Sequence, residues 1–293
     1  MLRQTKLPAR LLITTAAAAA FIYPIAAWAQ SPPNQIPQPP ADLPPPHGPL
    51  FAYAIFNLIF VAAVVGYILW AAWRTRSAFP LAFLAGGALA GLVEPVFDGN
   101  LHVWFSHPPG DPPAWHFYNV PYPWYVIPGN ATLAAPIYFI YERMRRGISA
   151  RELWAYFFLC WAYDGFLELP GTLMGAYVYY GPHPFVIANW PVYIGSFASL
   201  GLPLTSYTAY VMRDVMRGAG LWMGFAILMP VVIYGSEVIA WPSWITLNGG
   251  QTLAVTHMAA VVSLAFMAIG YHVLVLAYGR TRPARDAAEG GGA

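Results

Sequence analysis

Charge is what this sequence has least of. Aspartate, glutamate, lysine and arginine together make up 9% of its 293 residues, against about 25% in an ordinary soluble domain. Cysteine is nearly absent too. A lone Cys160 excludes an intrachain disulfide, a dithiol redox pair and a cysteine metal centre, and inside an apolar stretch it reads as a packing residue. No glycine loop of the phosphate-cradling kind occurs, and no basic cluster lies within an apolar run or in the loops expected to be exported. A grip on nucleic acid or on a diphosphate is thereby set aside. Facing pairs of histidines for a membrane haem, an H-E-x-x-H zinc helix and a workable serine–histidine–aspartate set are missing as well.

What fills the chain is apolar. Hydrophobic residues reach 58% and aromatics 16%, with 29 prolines and 26 glycines scattered through the apolar runs. Membrane helices tolerate both breakers where neighbouring helices satisfy the freed backbone groups. Residues 1–29 have the parts of a secretory signal: basic Arg3, Lys6 and Arg10, an apolar core from Leu11 to Ile25, and Ala27-Trp28-Ala29 as a small-x-small cleavage site. Residues 30–49 are polar and proline-rich, an extended linker. Seven apolar runs follow within residues 50–279: Leu50–Trp73, Ala78–Phe97, Tyr122–Tyr141, Leu153–Ala176, Trp190–Met212, Leu221–Ala240 and Thr252–Tyr278. Each is close to the roughly 20 residues that cross a bilayer as a helix, and residues 280–293 form a tail. The expectation is an all-α fold, a seven-transmembrane-helix bundle behind a cleaved signal peptide.

The few cations fix an orientation. Beyond the signal, Arg74 and Arg76 follow the first run, Arg143, Arg145, Arg146 and Arg151 separate the third from the fourth, Arg213 and Arg217 the fifth from the sixth, and Arg280, Arg282 and Arg285 follow the seventh. The other connections hold none. The positive-inside rule puts the arginine loops in the cytoplasm and the mature N-terminus in the periplasm of a bacterial inner membrane. The exported loops are instead rich in His, Pro, Tyr and Trp, and an interface belt accounts for most of the tryptophans there.

Against that background the acids inside the runs stand out. Glu94 and Asp98 lie on the second run, Asp164 and Glu168 on the fourth and Glu237 on the sixth. An ionisable group there costs at least about 2.5 kcal/mol, so it is expected to face the bundle interior. At 1.5 Å per residue, Glu94, Glu168 and Glu237 sit roughly 24 Å above the cytoplasmic edge, Asp164 about 18 Å, and His257 about 9 Å below the outer edge. One shared pocket opening to the periplasm is expected. The i,i+4 pairs Asp164/Glu168 and Glu94/Asp98 each occupy one helix face, with Pro95 a possible disturbance in the second. No Lys or Arg lies at this depth, so the acids are expected to carry protons, share them or bind a cation. The Glu-Pro/Asp-Gly cadence recurs on the second, fourth and sixth runs, as three degenerate helix–loop–helix units would give. Of the loop histidines, His102 follows Asp98 by four. These two are weak candidates for a divalent metal; no other cofactor is implied.

The segment Asp164-Gly165-Phe166-Leu167-Glu168, Gly171, Gly175-Ala176-Tyr177-Val178-Tyr179 and Pro191 resembles the Glu…Gly…Gly-x-Tyr-x-Tyr…Pro stretch of the integral-membrane carotenoid hydratases. The plan of seven short helices with acids on several also resembles the small membrane terpene cyclases of meroterpenoid pathways. The resemblance implies an isomerase, cyclase or hydratase acting on a neutral, lipophilic isoprenoid by acid–base chemistry. Glu168 or Glu237 would be the acid, Asp164 and Glu94 bases or partners, and His257 a further member. Tyr177, Tyr179, Trp190, Tyr193 and Trp241 would supply aromatic faces to the substrate and its carbocations. The partners expected are the lipid bilayer and that small molecule, with no nucleic acid. A proton- or cation-coupled transporter is the alternative, since carboxylate rings and broken helices suit it equally. Acids clustered toward one face fit it less well than a midplane site would. A non-catalytic receptor or assembly subunit is a third possibility.

Overall fold

The computed structural model describes residues 37, 39–40, 47–106, 115–117, 120–216 and 218–290, with backbone alone at 47–48, 117 and 282–290. The signal peptide at residues 1–29, most of the 30–49 linker, His107 and Arg217 lie outside the described residues. Helices dominate: α1 (His47–Thr75), α2 (Phe79–Asn100), α3 (Val126–Ala131), α4 (Ala134–Arg145), α5 (Ala150–Leu173), α6 (Gly195–Met212), α7 (Ala219–Glu237), α8 (Trp241–Asn248) and α9 (Leu253–Gly290). Each of the seven apolar runs therefore contains helix. Among the described residues four stretches are long and apolar enough to cross a membrane: Pro49–Thr75, Phe79–Asn100, Ala219–Asn248 and Leu253–Thr281. That is compatible with a membrane protein. The other three runs differ for visible reasons. Helix α4 is only 12 residues long, α5 carries Asp164 and Glu168 among tryptophans and tyrosines, and α6 is rich in serine, threonine and tyrosine.

The third run is broken where one continuous helix was expected over Tyr122–Tyr141. Pro136 has no N–H to offer the carbonyl of Thr132 four residues earlier, and α3 passes into α4 through Thr132 and Leu133, which keep helical dihedrals but make tighter i→i+3 bonds. That carbonyl accepts instead from the Ala135 backbone N–H at 3.2 Å and from the Tyr163 hydroxyl of α5 at 2.8 Å. Pro95, by contrast, sits inside an unbroken α2, so Glu94 and Asp98 do stand one turn apart.

The connections are not purely irregular either. Three short antiparallel pairs form: β1 (Val103–Phe105) with β4 (Tyr177–Tyr179), β2 (Trp115–Phe117) with β3 (Val120–Tyr122), and β5 (Val186–Ile187) with β6 (Trp190–Pro191). Aromatic and β-branched residues favour the pleated conformation. In the β1–β4 pair Val103 faces Tyr179 and Phe105 faces Tyr177. A strand turns alternate side chains to one face, so the two tyrosines project together.

Close helix approach locks the frame. A Cβ on Gly87 would lie 2.8 Å from the Asn130 carbonyl oxygen, and one on Gly91 2.8 Å from Ile127 Cα. Only glycine lets α2 approach the α3 backbone this closely, and that approach brings Asn130 onto Glu94.

Candidate functional site

The acids of three helices meet in one cavity. Helix α2 brings Glu94 and Asp98, α5 brings Asp164 and Glu168, and the last residue of α7 is Glu237; all five line a cavity of about 150 Å³. Its wall is otherwise largely aromatic and aliphatic. Tyr53, Phe56, Asn57 and Phe60 come from α1, Phe97 from α2, Phe197 from α6 and Tyr234 from α7, with Val103, Phe105, Tyr177 and Tyr179 contributed by the β1–β4 pair. No Lys, Arg or His is among the lining residues. Five carboxyls around one cavity, two of them buried and three half-buried, without a cation among the lining residues cannot all carry charge at an acceptable cost.

Hydroxyls and one amide orient the carboxyls. Glu168 Oε2 accepts from the Tyr179 hydroxyl at 2.7 Å and from the Tyr177 hydroxyl at 3.1 Å. The shared face of β4 makes that double contact possible. Asp98 Oδ2 accepts from the Tyr122 hydroxyl at 3.1 Å. Asn130 donates through Nδ2 to Glu94 Oε2 and to the Val126 carbonyl. Its Oδ1 accepts from the Tyr234 hydroxyl at 2.8 Å. Asp164 differs, because its Oδ2 is buried with no hydrogen-bond partner among the described residues. Asp98 and Glu237 are the most enclosed of the five acids. The result is three carboxyls, Glu94, Asp98 and Glu168, oriented by hydrogen bonds around the shared cavity.

Comparison with protein-family models, with curated proteins and with solved structures finds no match.

The remaining residues singled out in the sequence are placed elsewhere. His257 does not reach the cavity. On α9 its Nδ1 lies 2.7 Å from the Leu253 carbonyl, its Nε2 accepts from the Phe185 backbone N–H at 3.4 Å, and its ring meets Phe185 edge-on. Matched depth was the basis for including it, and depth says nothing about which way a side chain points around its helix. Trp190 and Tyr193 are buried but line no part of the cavity. Trp190 packs its ring over Gly165, where a Cβ would come within 2.9 Å. Trp241 lies at the start of α8 beside Phe266, 38% exposed.

The Asp98–His102 pairing is also undone. Helix α2 ends at Asn100, and His102 adopts a left-handed φ of 53°. The i+4 relation is lost there. Its Nε2 lies 3.1 Å from Asn248 Oδ1 and its ring stacks on Tyr180 at 4.8 Å. Among the described residues no group of three His, Cys, Asp or Glu side chains is placed to hold a metal ion. Next to His102 stands His183, whose ring nitrogens have no partner among the described residues. Burial pushes its basicity down to about 3, so it stays neutral.

Asn130, Tyr122 and Tyr234 are the members of this hydrogen-bond network that reasoning from the acids alone overlooks. Asn130 had a visible signal, being an amide in the middle of an apolar run, where a polar group needs a partner.

Proposed function

We propose that this chain is a membrane-embedded enzyme that isomerises, cyclises or hydrates a neutral isoprenoid by acid–base chemistry in the carboxyl cavity. The observation that carries the reading is the cavity's composition: five carboxyls, three of them held by tyrosines or an asparagine, facing aromatic walls with no basic residue. A carboxyl that carries a proton can deliver it to an alkene carbon, and aromatic faces stabilise the carbocation formed. Loss of a neighbouring proton to a second carboxylate gives the isomer. Attack by an internal alkene and the same proton loss gives a ring. Attack by water and loss of its proton gives an alcohol. In each case the proton balance of the site is restored. Glu168, fixed through Oε2, keeps Oε1 for the substrate. Glu237, from α7, and Asp164, one turn before Glu168 on α5, would take the proton up.

Size narrows the substrate further. A cavity of about 150 Å³ is on the scale that holds one benzene, room for a single isoprene unit. The reacting end group enters and the rest of the chain stays outside. The test is product analysis after incubating the protein in detergent micelles with a panel of neutral isoprenoids. A converted product is expected; none across the panel, with solute flux in proteoliposomes, would sink the enzyme reading. The break between α3 and α4 beside the acids favours a proton- or cation-coupled transporter as the second reading, and micelles, having no sealed compartment, separate the two.

The same proposal includes seven membrane spans behind a cleaved signal peptide in a bacterial inner membrane, with the N-terminus periplasmic. Reporter fusions after Arg146, Arg217 and Arg285 should read cytoplasmic and those near Pro109 and Pro182 periplasmic. A single swapped assignment breaks the seven-span arrangement.

A further inference from the structure

A second concavity lies far from the acids, between the ends of α1 and α4 where the arginines gather. It has a volume of about 380 Å³ and is lined by Tyr67, Trp70, Arg74, Tyr138, Arg143 and Arg146, with Glu142 beside them. This lies within the range of small-molecule sites, about 300–1,000 Å³. We propose that this groove binds the phosphate of an anionic phospholipid.

The charges decide which groups are available. Arg143 is committed to Glu152, 2.5 Å away. Glu142 is held by Arg145 at 2.9 Å, which leaves Arg146 loosely paired at 3.9 Å and 63% exposed. Arg74 is exposed, its guanidinium 5.2 Å above the Trp70 ring, and no carboxylate pairs with it among the described residues. Two guanidinium groups, Arg74 near the end of α1 and Arg146 capping α4, thus border one groove; Arg74 has no carboxylate partner among the described residues, and Arg146 shares Glu142 with the closer Arg145. The planar fork of a guanidinium matches the oxygens of a phosphate ester. Inorganic phosphate would use only those forks. The aromatic wall of Tyr67, Trp70 and Tyr138 adds an apolar surface that suits the glycerol and upper acyl chain, and basic pockets between helices are the form headgroup sites take. The inference rests on the membrane placement of the helices and not on the chemistry of the carboxyl cavity.

Native mass spectrometry of the detergent-purified protein tests it, with phosphatidylglycerol and phosphatidylcholine of identical acyl chains as probes. The wild type is expected to retain phosphatidylglycerol at least about 10-fold better. The double variant R74Q/R146Q should lose that preference, while R151Q, which removes an exposed arginine at the same end, should keep it. Should the double variant aggregate, R74Q alone must lower the preference at least about 3-fold. Equal retention of the two lipids by the wild type, or an unchanged preference in R74Q, overturns the site. Displacement of the lipid by millimolar inorganic phosphate would reassign it to free phosphate and overturn the lipid proposal.

Discussion

Replacing Glu168 with glutamine should leave a folded protein whose turnover of its isoprenoid falls at least about 10²-fold, the usual loss when general acid–base catalysis is removed. Glutamine keeps the size of the side chain and an acceptor oxygen for the Tyr179 and Tyr177 hydroxyls, which now donate to Glu168 Oε2. What it removes is the exchangeable proton. The binding constant should change far less than turnover, because a neutral hydrocarbon owes its affinity to the aromatic wall. Glu237→Gln, at the end of α7, should behave in the same way. Product formation by Glu168→Gln within a few-fold of the wild type would take Glu168 out of the chemistry. A transporter gives another pattern: no product from the wild type, and flux in the variants that no longer responds to the proton or cation gradient.

The second large effect is on stability. Asn130 is 9% exposed and joins two helices, donating to Glu94 on α2 and accepting from Tyr234 on α7. Asn130→Leu keeps the branched shape, in a somewhat larger side chain, and strands both partners. Each buried polar group left unpaired costs about 1–3 kcal/mol, so a loss of about 2–5 kcal/mol is expected in equilibrium unfolding in detergent. Tyr234→Phe added to that variant should cost little more, because its hydroxyl has already lost its acceptor. The double-mutant cycle should therefore show a coupling of about 1 kcal/mol or more. Additive losses would mean that the Glu94–Asn130–Tyr234 chain is not a working unit.

These two variants also mark what could be read from the residues alone. Glu168 declares itself, since a carboxylate in an apolar run must face inward, and the one-turn spacing to Asp164 puts the pair on one face. The helical runs show themselves through length and hydropathy. Asn130 is harder, because its partners come from helices remote in sequence and its position depends on α2 glycines admitting the α3 backbone. The break after α3 could have been foreseen from Pro136, but not its relief by Tyr163 from another helix. His257 shows the converse error. Counting residues along a helix gives height, whereas membership of a cavity also needs rotation about the axis, and rotation is set by packing. The β1–β4 pair was hidden for a related reason. Three-residue strands carry too little pattern to announce a register, yet that register is what brings two tyrosines onto one carboxyl.

Of the four stretches long and apolar enough to cross a membrane, the one in α1 is the least enclosed, 17% of it buried against 50% for α2. It nevertheless supplies Tyr53, Phe56, Asn57 and Phe60 to the lining. On the outer side of the seam Phe166, half exposed, meets Phe56 and Phe60 edge-on. Swinging out α1 would forfeit less packing than moving α2, and helix displacements of that kind fall on the microsecond-to-millisecond scale. A lipophilic molecule would then arrive sideways, already concentrated by partitioning into the bilayer, without first crossing water. Its supply would be governed by solubility in lipid, and the breathing of one helix would set how often the carboxyls meet it.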